Sequence, residues 1–212
     1  MLGVHPEDNV PTKPGIQKQL TVGPLGVTVG LKKRKKRTMF REERDQSQFE
    51  WSMLGDLKEG RPNLGPMTHV AVYRLMQYTL RDVLIREFGV AKADQAFFDA
   101  GKQAGRAYYK NVLTQKKDLN EFFADIQRSM KELNIGIFRV ESSDLEKGSF
   151  VIVVEEDLDC SGIPFCSEQI CTYDEGFIAG LLLEYSGKDY TVKEVDCWGS
   201  GARVCRFTVI PK

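Results

Sequence analysis

The chain has 212 residues, 42% of them hydrophobic and 10% aromatic, a make-up expected of a globular protein with one real core and a tail. Its 30 basic and 30 acidic residues cancel, which removes whole-molecule steering toward nucleic acid or anionic lipid. The longest apolar run, Gly176 to Leu183, falls far short of the roughly 18–20 residues a membrane helix needs, so no membrane span is expected.

The amino terminus, MLGVHPEDNV, has neither the basic nor the apolar region of an export signal, and a cytoplasmic location is the expectation. Residues 1–59 read as a flexible or partly ordered basic arm. The run KKRKKR at Lys32 to Arg37 and the charged stretch from Arg41 bury little apolar surface. Within this arm, the alternation from Gln17 to Val29 predicts a small hairpin. Six like charges in a row are usually solvated, so nucleic acid is not expected as a partner.

From Pro66 the periodicity becomes helical. Val72, Leu75, Met76, Thr79, Leu80 and Val83 recur at intervals of three and four, and Gly89 stops the pattern. A second helix is predicted from about Ala91 to Leu113, with Phe97, Phe98, Gly101, Ala104, Gly105, Tyr108 and Val112 on one side. A third, Leu119 to Leu133, presents Phe122, Phe123, Ile126 and Met130. Two strands follow, Ile135–Glu141 and Ser149–Glu156, around a charged turn; then a short helix through Gly176 and Gly180, ended by Gly187; then a last hairpin, Tyr190–Cys197 with Arg203–Ile210. The expected fold is α+β, a mostly antiparallel sheet of about four strands packed against three to four helices.

Five cysteines carry the chemistry. Folding the last hairpin about Gly201 sets Cys197 opposite Cys205, where directly opposed residues lie roughly 4.5–5.5 Å apart at Cα. Two such thiols can share a metal, form a disulfide or fill core. An odd count without an export signal argues against a disulfide framework. Cys171 opens the short helix and Cys160 and Cys166 lie in the loop before it, so sulfur ligands would converge from separate elements, as in structural zinc sites. There is no C-x-x-C, and His5 and His69, the only histidines, stand far off. Cys205 shares a face with Phe207 and Val209, so a small buried hydrophobe is the competing reading. Glu194 offers an oxygen ligand, but strict alternation puts it on the face opposite Cys197, so a bulge or strand end must intervene. Cys160 is the cysteine most readily left out.

The segments CTYDEGFIAGLLLEY at Cys171, KEVDCWGSG at Lys193 and VCRF at Val204 resemble the 4-vinyl reductase (V4R) domain family, related in fold to nitric-oxide-sensing and Golgi-transport ligand-binding domains. GRPNLGP at Gly60 and DAGKQAGR at Asp99 resemble the family's first helices, so a ligand-binding domain over residues 60–212 is expected. The resemblance implies zinc held by three cysteines and a glutamate, at the matching positions Cys171, Glu194, Cys197 and Cys205. Cys166, like Cys160, is the alternative source of a fourth ligand in an all-sulfur site. A closed four-ligand zinc is structural, since catalysis needs an open position.

The same resemblance implies a domain that binds a small hydrophobic molecule, aromatic, tetrapyrrole-like or lipid, in a sensory or regulatory role and as a homodimer. Phe97, Phe98, Tyr108, Phe122 and Phe123 are the candidate pocket residues, on the ground that helix-walled apolar cavities hold such ligands. The patterns Gly101–Gly105 and Gly176–Gly180 mark either a pocket or dimer seam or, more simply, tight helix packing. No dinucleotide, flavin or phosphate-loop signature accompanies them. That weighs against the competing expectation of a tetrapyrrole vinyl reductase or accessory factor. A ligand-free scaffold is the third reading.

Overall fold

The computed structural model describes residues 19–23, 26–30, 40–115 and 118–212. The basic run Lys32–Arg37 and the amino-terminal ten residues lie outside the described residues. The chain divides into two units, Met1–Ser47 and Gln48–Lys212. In the first, strands β1 (Gln19–Gly23) and β2 (Gly26–Gly30) pair antiparallel, Thr21 opposite Thr28, the hairpin that the alternation predicts.

In the second unit a 3₁₀ turn, Trp51–Leu54, and a four-residue helix α1 (Leu57–Gly60) precede the main elements. These are α2 (Val70–Phe88), α3 (Val90–Asn111), α4 (Leu119–Glu132), β3 (Ile137–Asp144), β4 (Ser149–Glu155), α5 (Thr172–Ser186), β5 (Tyr190–Asp196) and β6 (Cys205–Pro211). The sheet order is β3-β4-β6-β5 with every pair antiparallel. The α+β architecture expected from the sequence is the one observed. Among the described residues, no helix is long and apolar enough to cross a membrane.

Helix α5 is buried on nearly every side, from Gly176 through Leu182, as expected of a helix apolar all round. Against it lies α3. A Cβ built on Gly101 would fall on the carbonyl oxygen of Tyr173, and one on Gly105 on that of Phe177; reciprocally, Gly176 meets Phe98 O and Gly180 meets Lys102 O. The two small-residue patterns are therefore one seam between two helices of the same chain. Below them, Phe122 stacks on Tyr185 with ring centroids 4.1 Å apart, and Phe123 packs between Phe138 and Phe150. These join Ile152, Phe207 and Val209 of the sheet in the core.

Helix α2 departs from what its periodicity suggests. Val72, Leu75, Met76, Leu80 and Val83, the stripe that would ordinarily face a core, are all exposed. The face turned inward is polar. Tyr73 Oη donates to Asp159 Oδ1 at 2.8 Å, Gln77 Nε2 to Asp159 Oδ2 at 2.7 Å, and Arg74 Nε to Leu158 O at 2.7 Å. The periodicity is right for a helix. Its orientation follows from the hydrogen-bonding demand of the loop beneath it, whose buried carboxylate and carbonyls need donors that leucine and methionine lack.

The glycine seam yields a direct test. Gly105→Ala or Gly176→Ala forces backbone apart from backbone, and each is expected to cost about 3 kcal/mol in chemical unfolding, the upper part of the overpacking range. Gly60→Ala, where a Cβ meets nothing within 4 Å, is expected to change stability by less than about 0.5 kcal/mol.

Candidate metal centre and adjoining cavity

Strand β5 alternates regularly through Val192 and Glu194, both buried, and then breaks: the register with β6 shifts between Glu194 and Asp196. Val195 takes the extra position and is exposed. This bulge returns Cys197 to the buried side, so Glu194 and Cys197 both face inward. Cys197 then opens a tight turn, in which Ser200 N and Ala202 N donate to its carbonyl at 3.1 and 3.0 Å. Beyond the turn, Cys205 starts β6.

Four sulfurs meet at this point. Cys160, Cys171, Cys197 and Cys205 are all at most 1% exposed, and their Sγ atoms lie within 4.8 Å of one another. Individual separations are 3.0 Å for Cys160–Cys205, 3.8 Å for Cys171–Cys205 and 3.9 Å for Cys171–Cys197. All four are free thiols. Cys160 arrives on a loop fixed by Asp157, whose Oδ1 accepts from Asp159 N at 2.7 Å and Cys160 N at 3.2 Å. Cys171 is the N-cap of α5. Such convergence from four separate positions can hold a metal ion.

Of the sequence-derived ligand candidates, Cys171, Cys197 and Cys205 are brought together and joined by Cys160. Cys166 stands outside this group: it is exposed, and its Sγ lies 3.6 Å from Gly199 O. Glu194 is 2% exposed and sits at the cluster's edge. Its Oε2 accepts from Cys171 N at 3.1 Å, while Oε1 is buried without a hydrogen-bond partner. Behind it, Glu175 Oε1 accepts from Glu194 N at 2.8 Å and pairs with Lys193 at 2.9 Å.

The electrostatics are those of crowded acids. Hydrogen bonds from Cys160, Cys171 and Cys205 pull the Cys197 thiol far below its ordinary value, whereas sharing protons with the other thiols, Cys160 first, pushes Cys171 and Cys205 up. Burial, and then the charge on Cys197, raises Glu194 to about 8. Burial, and then Asp159, raises Asp157 to about 7. Asp174, in the first turn of α5, is raised by burial and by Asp157.

Next to this cluster, between α3, α5 and the Phe49–Leu54 segment, lies a cavity of about 510 Å³. Ala100, Ala104 and Ala107 form its α3 wall, and Tyr173 and Phe177 its α5 wall. Of the aromatic residues proposed from the sequence, Tyr108 lines it; its hydroxyl is buried and has no hydrogen-bond partner. Phe97 lies under the Arg81 guanidinium, 5.2 Å from ring centre, Phe98 packs at the edge of the core, and Phe122 and Phe123 fill the core itself. Alanines beside the two glycines of α3, with aromatic residues four apart on α5, were the available signal for this hollow.

The raised carboxyls fix a pH dependence. Glu194 and Asp157 hold protons in the fold that the unfolded chain releases near 4.5 and 3.8. The folded state thus binds more protons across this window, and stability falls as pH rises. Chelator-treated protein is expected to lose several degrees of Tm between pH 5 and pH 8, with a shallower loss in Glu194→Gln, both read by calorimetry.

Several known proteins are similar to this chain in sequence or in fold. The uncharacterized protein MJ1642 of Methanocaldococcus jannaschii is 24% identical over 147 residues, covering 69% of this chain and 80% of its own. Among solved structures, the phenol-responsive sensory domain of the transcription activator PoxR, with phenol, superposes at a TM-score of 0.55 with 15% identity, over 69% of this chain and 76% of its own. A vinyl-4-reductase family protein from Methanocaldococcus jannaschii superposes at 0.53 with 18% identity, over 79% and 99%. At these identities the likeness is one of fold. Residues 150–211, the stretch that runs from β4 to β6 and carries all four clustered cysteines, match the V4R domain, the family that the sequence resembles.

Proposed function

We propose that this chain is a zinc-stabilised, cytoplasmic ligand-binding domain that takes up a small hydrophobic molecule and reports its presence. The observation that carries the reading is the aromatic-walled cavity next to the buried four-sulfur cluster. A cavity of this size lies within the roughly 300–1,000 Å³ of small-molecule sites. The likeness in fold to a sensory domain that holds phenol supports it. An interior filled throughout by side chains would have favoured a ligand-free scaffold.

Zinc fits the donor set. A tetrahedron with Zn–S bonds of about 2.3 Å has edges of about 3.8 Å, and the Cys171–Cys205 and Cys171–Cys197 sulfur separations are 3.8 and 3.9 Å. Cys160, Cys171, Cys197 and Cys205 would hold the ion, closing its coordination and tying the 157–160 loop, α5 and the last hairpin together. Glu194, with its unpartnered Oε1, is the competing fourth ligand. The untagged protein is expected to carry one zinc per chain by plasma mass spectrometry, lost in Cys197→Ser/Cys205→Ser and kept in Cys166→Ser. In cobalt-substituted protein, Cys160→Ser is expected to weaken the thiolate charge-transfer band by about a quarter, one ligand of four. A spectrum that responds to Glu194→Gln and not to Cys160→Ser would assign the oxygen ligand instead. Protein without metal would end the zinc reading.

The domain is taken to span residues 60–212, with residues 1–59 as an arm that passes the signal on, and to work as a homodimer. The inverted face of α2 supports the dimer. Val72, Leu75, Met76, Leu80 and Val83 together expose on the order of 500 Å², much of the roughly 800 Å² per partner in a standard interface. Met76→Asp/Leu80→Asp is expected to convert a dimer to a monomer in size-exclusion chromatography with light scattering. Wild type that elutes as a monomer would exclude this pairing.

A further inference from the structure

The cavity's lining has a chemical bias that the fold does not require. Six of the lining residues are aromatic: Phe49, Trp51, Tyr73, Tyr108, Tyr173 and Phe177. The charged residues among the lining are Asp159 and Asp174, and no lysine, arginine or histidine accompanies them. Asp174 Oδ2 is buried and has no hydrogen-bond partner. Both oxygens of Asp159 accept from neutral donors, Tyr73 Oη and Gln77 Nε2.

The neighbouring cations are committed elsewhere. Arg74 donates to the carbonyls of Leu158 and Asp157. Arg81 is bound to Asp94 and Thr172, with the Ile170 carbonyl at 3.4 Å. A divalent ion in the cysteine cluster would not reverse the sign, since four thiolates and one such ion sum to a charge of minus two. Asp174 lies against that cluster, within 4.8 Å of Cys171 Sγ and a carboxylate oxygen of Asp157.

Resting on the ligand-binding reading above, we infer that the cavity selects an organic ammonium: a primary or alkylated amine, positively charged, on an aromatic or alkyl body. Ring faces attract a cation through their quadrupoles, and desolvated cages of aromatic side chains are a recurrent way to bind ammonium groups. Burial disfavours the charged form of Asp174 in the empty cavity; an ammonium beside it reverses that preference, so the carboxyl, with its unpartnered Oδ2, becomes both counter-charge and acceptor. A carboxylate ligand such as a fatty acid would instead meet two acids and no cation.

The test uses the full chain with its metal and three probes of one shape: 4-phenylbutylammonium, 4-phenylbutanol and 4-phenylbutyrate, titrated by calorimetry at pH 7. The ammonium is expected to bind at least tenfold more tightly than the alcohol, and the carboxylate to give no binding heat. Asp174→Asn is expected to bring the ammonium to within about twofold of the alcohol while leaving the alcohol's affinity unchanged. Trp51→Leu, at a half-exposed position that the fold does not lean on, is expected to weaken the ammonium more than the alcohol. Equal binding of ammonium and alcohol, or tighter binding of the carboxylate, overturns the ammonium selectivity and leaves the ligand-binding reading standing. No binding of any probe at millimolar concentration overturns both.

Discussion

The contact on which the rest of the structure depends is the approach of α3 to α5 at backbone distance. Four glycines, Gly101, Gly105, Gly176 and Gly180, each face a carbonyl of the opposite helix with no room for a methyl group. Interiors this dense transmit position rather than absorb it. The first residue ahead of α5 is Cys171 and its first turn carries Tyr173 and Asp174, so the seam sets the height of one metal-ligand candidate and two cavity residues together. The alanines that line the cavity lie on α3, the same helix as two of the glycines. Thiol cluster and cavity therefore share one frame, and a shift in either is felt at the other.

A second constraint comes from polar groups taken out of water. Asp157, Asp159, Glu175 and Glu194 are all buried, an arrangement that folded proteins tolerate when hydrogen bonds or cations compensate. Asp157 holds the backbone that delivers Cys160, Asp159 is held by α2, and Glu175 steadies β5 where Glu194 leaves it. The inward polar face of α2 belongs to this network, and its outward apolar face is the remainder that such a helix must leave for another surface.

Element types and order were legible because helices and strands of this length declare themselves by period. The faces were less so. Strict alternation sets Glu194 and Cys197 on opposite sides of β5, and only the bulge at Val195 reconciles them; a bulge has no periodic signature. Cys160 and Cys166 look alike in sequence, both in one loop. What separates them is Asp157, which turns the backbone under Cys160, while Cys166 pairs with the Gly199 turn at the surface. The aromatic residues of α4 read equally well as pocket or core, since burial depends on what the sheet brings against them, here Phe138 and Phe150. For α2, hydrophobic period identified the helix, but the choice of inward face was made by a loop some 80 residues later.

The wide spacing of the clustered sulfurs has a consequence for the order of assembly. Cys160 and Cys205 are 45 residues apart, and β4, once hydrogen-bonded to β3, has its other edge completed only by β6, with Val154 opposite Cys205 and Phe150 opposite Val209. A nascent chain that has emerged as far as α5 thus carries two of the thiols and an open strand edge, the kind of surface that invites mispairing. Entry of β6 seals the sheet and delivers the fourth sulfur in one step. Synthesis of the last strand is the event that both protects the edge and makes the thiol cluster, so a cation bound there would report that translation has passed residue 205.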